Sequence, residues 1–218
     1  MLTVNIITAF PEFFHGSICS LLLKAQEKQL VLFNVIDIKN HGYGKWKKID
    51  DTEYGGGAGM ILRVDVVESA INSLNINGSS KFIIPSPRGK YYEQKDAMLL
   101  SSQYDNITIL CNRYEGVDQR IIDYYKFEEV SIGNFILLGG ETAAMAIIES
   151  TVRLLPNVLG NNNSLLSETN EELCDNDHYT KPLLWNDLQV PNILTSGDHL
   201  KIATWRQFNK KKHPSGKK

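Results

Sequence analysis

Short apolar runs rich in β-branched residues alternate along this chain with longer stretches in which apolar positions recur every three or four residues. Residues 3–9 (TVNIITA), 31–38 (VLFNVIDI), 81–85 (KFIIP), 106–111 (NITILC) and the stretch around 128–132 (EEVSI) have the length and composition of buried strands. Between them, residues 17–29, 64–75, 91–103 and 117–125 have helical length and spacing. Strands and helices in this rhythm predict an α/β fold, a mostly parallel sheet with helices on both faces, because parallel neighbours need a crossover that covers a face. A further helix over 141–155 is stopped by Pro156 and Gly160. Residues 161–173 (NNNSLLSETNEEL) are polar and lack apolar periodicity, which reads as a linker. Beyond it lies a short basic segment, mainly helical from Ser196 to Phe208, with Ser196-Gly197-Asp198 supplying capping residues. The predicted organisation is an α/β domain over 1–160, a flexible linker over 161–174 and a small helical domain over 175–218. No internal repeat is present.

Composition narrows the class. At 218 residues, 42% apolar and 22% charged, the chain can bury a real core and is not a disordered polymer. Its three cysteines (Cys19, Cys111, Cys174) are far apart and share no C-x-x-C spacing, which fits neither a disulfide framework nor zinc ligation. The start MLTVNIITAFPEFF has no positive leader, and no apolar stretch approaches the roughly 18 residues of a membrane span. A soluble, cytoplasmic protein with no membrane partner is expected.

The net charge of −2 hides an asymmetry. Residues 201–218 carry seven of the 23 Lys and Arg and no Asp or Glu, so the tail is +7. Residues 1–200 hold the other 16 against 25 acidic residues, a net −9. Such a basic end suits phosphate, although a frayed, solvated terminus has the same composition. A second cluster mixes Lys39, Lys45, Lys47 and Lys48 with His41, Tyr43 and Trp46, residues able to hold phosphates and stack on bases.

The candidate chemistry lies in glycine-rich turns. Asp50-Asp51-Thr52-Glu53-Tyr54-Gly55-Gly56-Gly57-Ala58-Gly59-Met60 is neither a Walker loop nor a G-x-G-x-x-G fingerprint. Pro85-Ser86-Pro87-Arg88-Gly89 follows a strand, as does Cys111-Asn112-Arg113-Tyr114-Glu115-Gly116. Ser131-Ile132-Gly133-Asn134-Phe135-Ile136-Leu137-Leu138-Gly139-Gly140-Glu141 follows a third. Loops of this kind at strand ends are where α/β sheets place ligands, and small residues let a nucleotide-like group approach the backbone.

Taken in order, the segments ITAFPEFF, DDTEYGGGAGM, SPRG, CNRYEG, SIGNFILLGGE, VRLLPNVLG, DHYTKP, VPNILTSGDH and IATWR make the chain resemble the bacterial tRNA (guanine-N1)-methyltransferase family. They run from residue 7 to residue 206. The resemblance implies a SPOUT-type fold with a deep trefoil knot, which periodicity alone would not reveal. It implies S-adenosylmethionine as methyl donor, a homodimer with composite active sites, and tRNA with guanosine at position 37, preceded by guanosine, as substrate. It places the donor on Pro85, Ser86, Pro87, Asn112, Ile132, Gly133, Asn134, Phe135, Ile136, Leu137, Gly139 and Gly140. Asp175 falls on the family's catalytic aspartate and Arg153 on the arginine facing guanine O6. Glu115 matches a carboxylate linked to Mg2+ dependence.

These roles suit the chemistry. Guanine N1 carries a proton that must leave as the methyl arrives, so a carboxylate serves as general base and a cation stabilises charge building on O6. The family pattern usually has Arg at Lys181, Pro at Asp177, Gly at Asn112 and Asp at Asn134. Lysine cannot repeat a bidentate phosphate contact, and asparagine tolerates the left-handed angles a glycine would use. Asp177 sets a second carboxylate two residues from Asp175, which would raise the base's pKa if they met. Two alternatives are a related knotted methyltransferase acting on ribosomal RNA and a noncatalytic RNA-binding protein. The DHYTKP and VPNILTSGDH segments argue against the first, and retention of Asp175 and Arg153 against the second.

Overall fold

The computed structural model describes residues 1–113, 115–159, 173–175, 177–209 and 211–212. The chain divides into two units, Met1–Gly160 and Asn161–Lys218. The first runs β1 (Leu2–Thr8), α1 (Pro11–Ser17), α2 (Ser20–Glu27), β2 (Val31–Asp37), β3 (Asp50–Thr52), β4 (Met60–Leu62), α3 (Val64–Asn72), β5 (Ser80–Tyr91), α4 (Gln94–Gln103), β6 (Asn106–Leu110), α5 (Gln119–Tyr125), β7 (Glu128–Ser131) and α6 (Glu141–Val152).

Five strands form one parallel sheet in the order β2-β1-β6-β5-β7. The apolar runs explain its placement. In β1, Leu2, Val4 and Ile6 enter one core with Phe14, Leu22, Leu100 and Ile147, so α1, α2, α4 and α6 cover that face. Ile7 joins the opposite core with Val66, Val67 and Ala70 of α3 and Ile121 and Ile122 of α5. A sheet buried on both faces needs strands apolar on both sides, as predicted. One polar row interrupts the second face: Asn34 Nδ2 donates to Asn5 Oδ1 at 3.0 Å, and Asn5 Nδ2 donates to Thr108 Oγ1 at 3.3 Å. These side chains satisfy one another across three paired strands, which removes most of the cost of burying them.

Local departures have local causes. The helix expected over 17–29 is the shorter α2, Ser20–Glu27, and a separate helix α1 that was not expected precedes it, with Pro11 in its first turn and a break at Ile18–Cys19. The glycine-rich 50–60 segment is not a bare loop but the tip of an antiparallel hairpin, β3 with β4, whose three-residue strands are too short to show a period. Pro85–Gly89 lies inside β5, not after it.

In the second unit, β8 (Leu173–Asp175) pairs antiparallel with β11 (Lys211–Lys212), and β9 (Leu184–Trp185) pairs with β10 (Leu188–Gln189). The expected linker lies outside the described residues except for 173 and 174, which belong to β8. The expected helix is α7 (His199–Phe208), with Asp198 accepting from Lys201 N at 3.1 Å as its N-cap. Tyr179 packs edge-on against Trp205 of α7 at 6.2 Å. Among the described residues, no helix is long and apolar enough to cross a membrane.

Candidate active site

The carboxyl ends of β5, β6 and β7 open onto one cavity of about 530 Å³. Each strand contributes a segment shaped by its own sequence. Pro85 pairs with Val130, and then Lys90 pairs with Val130 again, so Ser86–Gly89 leaves the ladder as a bulge. Prolines that cannot donate to a ladder are tolerated at such bulges. Gly89 closes the bulge against β7: a Cβ there would lie 2.4 Å from the carbonyl carbon of Glu129 and the nitrogen of Val130. No side chain fits.

After β6, Cys111 N donates to Ile7 O at 2.9 Å, and the Asn112 carbonyl accepts from Gly140 N at 3.0 Å. Asn112 is absent from the residues with left-handed backbone angles, so the tolerance that sequence reasoning invoked for it is not used. After β7, Ser131 Oγ donates to the Gly133 carbonyl at 3.0 Å and starts the turn into 133–140. Phe135, Ile136, Leu137 and Leu138 of that segment are exposed at the cavity rim.

A buried ion pair anchors the segment. Glu141, 2% exposed at the start of α6, takes Arg113 through Nε at 3.1 Å and Nη2 at 2.9 Å. Thr8 Oγ1 donates to the same carboxylate at 3.0 Å. Arg113 Nη1 reaches on to the Leu138 carbonyl at 3.2 Å, and its guanidinium lies over the Phe10 ring at 4.3 Å. A carboxylate this buried is tolerable because its lone pairs are used. Burial, reinforced by Glu141 and opposed by Arg113, pushes the Cys111 thiol well above its ordinary range, which makes it a packing group and not a nucleophile.

The hairpin reaches the same cavity from the side. Glu115 N donates to Met60 O and Leu62 N to Gly116 O, both at 3.0 Å, so β4 holds the loop bearing Glu115. Glu115 and Glu53 both line the cavity.

Of the twelve residues predicted to hold a ligand, eleven line this cavity: Pro85, Ser86, Pro87, Asn112, Ile132, Gly133, Phe135, Ile136, Leu137, Gly139 and Gly140. Asn134 does not. Arg153 is elsewhere. It caps the carboxyl end of α6, whereas the cavity touches the amino end at Gly140 and Ala143, about 15 Å away along a helix rising 1.5 Å per residue. Asp175 is the last residue of β8, in register with Lys211, and its side chain is outside the described residues. Sequence reasoning missed Arg88, Arg113, Glu141 and Glu53. The signal for two of them was present, because Arg113 and Glu141 are charges beside glycine-rich loops, but their pairing is visible only in three dimensions.

A family model described as tRNA (Guanine-1)-methyltransferase TrmD matches residues 2–218. The tRNA (guanine-N(1)-)-methyltransferase of Ehrlichia canis (strain Jake) is 45% identical over 210 residues, covering 94% of this chain and 88% of that protein. Those of Anaplasma phagocytophilum (strain HZ) and Wolbachia pipientis wMel are each 43% identical, over 205 and 221 residues. The first alignment covers 93% of this chain and 88% of the relative, the second 97% and 93%.

Proposed function

The chain belongs to the tRNA (guanine-1)-methyltransferase family, so it methylates N1 of a tRNA guanine, and we propose that the target is guanosine 37, preceded by guanosine, with S-adenosylmethionine as donor. The observation that carries the proposal is the single cavity that gathers eleven of the twelve expected donor residues. Its volume of about 530 Å³ suits a ligand of nucleoside size. The bulge at Ser86–Gly89 offers backbone groups and small side chains at close range. When bound, S-adenosylmethionine supplies an electrophilic methyl on a sulfonium centre.

The chain's own residues do the rest. Arg113 and Glu141 hold the 133–140 segment at the cavity mouth, and its exposed apolar side chains exclude water from the reacting atoms. Asp175 is the proposed base, taking the N1 proton. Arg153 is the proposed cation at O6. The target base must be splayed from its neighbours to reach any such site, as RNA-modifying enzymes require. The basic tail over 201–218 would hold the RNA backbone.

A homodimer with composite sites accounts for the position of Arg153. That residue stands a helix length from the cavity of its own chain, so its proposed role is in the partner's site. The proposal further includes a trefoil knot, a separate 175–218 RNA-binding domain and a cytoplasmic location, all of which the family resemblance supports. For Mg2+, the described residues offer no cage, since no three His, Cys, Asp or Glu side chains gather. Glu115 would touch a largely hydrated ion, the usual state of magnesium, and no step here depends on it.

The test is methylation of an anticodon stem-loop transcript by the full chain, with the methyl located by mass spectrometry. Modification of N1 at guanosine 37 is expected. A methyl at another base or atom would overturn the assignment.

A further inference from the structure

The basic and aromatic cluster at 39–48 has no part in the site above, yet it is a built surface. Tyr43 and Lys48 exchange backbone hydrogen bonds at 2.9 Å in both directions, and Lys47 N donates to Gly44 O at 3.1 Å. This closes a tight turn whose outermost side chain, Trp46, is 87% exposed. Lys45 Nζ lies 5.8 Å from the centre of that indole. Lys47 Nζ is held by Asn40 Oδ1 at 2.7 Å, while Arg63 stacks on Tyr43 at 4.8 Å and ties the turn to the root of the β3–β4 hairpin. Of the four lysines, Lys48 is ion-paired, to Asp51 at 3.1 Å. All four line, with Trp46, Ile49 and Asp50, a groove of about 480 Å³. A lone exposed tryptophan needs no explanation. One fixed at the tip of a hydrogen-bonded turn among unneutralised lysines does.

The surface also points somewhere. Lys39 Nζ sits 4.9 Å from the centre of the Phe10 ring, and Arg113 of the active-site cavity sits 4.3 Å from the same ring. Lys39 and the Glu141-paired Arg113 share one aromatic ring, which places the turn beside the cavity rim.

We propose that the 39–48 turn is a second RNA contact, in which Trp46 stacks on an unpaired base of the tRNA substrate while Lys39, Lys45 and Lys47 hold neighbouring phosphates. This rests on the reading of the substrate as tRNA. An aromatic face with cations beside it is the chemistry of single-stranded nucleic acid. A membrane would call for a broad apolar face, and the turn presents one indole.

The experiment uses the full chain and full-length tRNA. Methylation by the wild type is measured first, followed by KM for tRNA and for S-adenosylmethionine and by tRNA binding across a salt series. Trp46→Ala should weaken tRNA binding on the order of 10-fold and leave the donor KM unchanged, and Trp46→Phe should keep most of the affinity. Replacing Lys45 and Lys47 together by Gln should flatten the slope of log K against log salt by about 1.4, from roughly 0.7 per single-strand phosphate lost. If the wild type methylates tRNA and none of these changes alters tRNA binding or its salt slope, the turn is merely solvated and this proposal is overturned alone. If the wild type neither binds nor methylates tRNA, both readings are overturned.

Discussion

Arg113 and Glu141 meet through two parallel contacts, Nε to Oε1 at 3.1 Å and Nη2 to Oε2 at 2.9 Å, although they belong to different strand-end segments of the sheet. The pair joins the loop after β6 to the first turn of α6. Through Nη1 it also fixes the Leu138 carbonyl, so one guanidinium ties the segment at the cavity mouth to the loop after β6, beside the Gly140 N to Asn112 O bond. Glu141→Ala would leave Arg113 without its partner and the covering segment without its anchor. A loss of roughly 1–3 kcal/mol of stability is expected, since the Arg113 left without its partner is only partly buried and can gain water. The donor KM should rise further than the tRNA KM. Glu141→Gln keeps one acceptor oxygen, able to serve Arg113 Nε and Thr8 Oγ1 but not Nη2, and should lose less than Glu141→Ala on both counts. Chemical denaturation with separate kinetics for the two substrates would check this, and unchanged donor KM in Glu141→Ala would remove the anchoring role.

The sheet and its covering helices were legible because the central strands β1 and β6 are buried on both faces, so their apolar runs needed cover on each side. Eleven cavity residues were legible through the resemblance, which works on residue order and needs no geometry. The β3–β4 hairpin was not legible, because its strands show no period over three residues and the intervening glycines read as a loop. The bulge in β5 was hidden for a different reason. Pro85 and Pro87 signal an interruption, but only the double pairing to Val130 shows that the strand resumes. Arg153 was assigned to the chemistry by motif, and nothing in a linear motif says that α6 carries it away from its own chain's cavity.

Acid should weaken the first unit through identifiable carboxylates. Hydrogen bonding to Arg63 holds Asp65 below the usual aspartate range against the opposing effect of burial, and Arg120 does the same for Asp118, the N-cap of α5. Groups with folded pKa values below the unfolded value of about 3.9 contribute stability that is complete above that pH. It is lost as pH falls through their lower folded values. Asp118→Asn keeps a capping acceptor but cannot titrate, so its loss of stability between pH 5 and pH 2, as chosen for a urea titration, should be shallower than wild type. An identical acid limb would show that this carboxylate's shift does not contribute.

Asp175→Ala should abolish turnover and leave donor binding nearly intact. An interaction made only at the transferring proton affects kcat before it affects binding. Equilibrium binding of S-adenosylmethionine and single-turnover methylation separate the two. Substantial methylation by a folded Asp175→Ala chain would reassign the base.

The composite site makes the sharpest demand. Arg153 lies about 15 Å along α6 from Ala143, the last α6 residue that lines the cavity, so one chain does not bring the proposed O6 cation to its own donor residues. If the partner supplies it, each dimer holds two mixed sites, and inactivating lesions on different chains should complement. One chain would carry Arg153→Ala. The other would carry Gly140→Trp, because a Cβ at Gly140 already lies 3.0 Å from Cys111 Cα and 3.1 Å from Asn112 N, leaving an indole no room without blocking the cavity. Each variant should be inactive alone, and Arg153→Ala should melt near the wild-type temperature; if Gly140→Trp does not fold, Ser86→Trp blocks the same cavity from the β5 bulge. Mixing under conditions of subunit exchange should yield heterodimers in which one site pairs an open cavity with an intact arginine. Up to half the wild-type activity per heterodimer is then expected on the order of magnitude of one site in two. Heterodimers that form, as shown by mass, yet stay inactive would place Arg153 in the site of its own chain, and α6 would have to be displaced for it to arrive there.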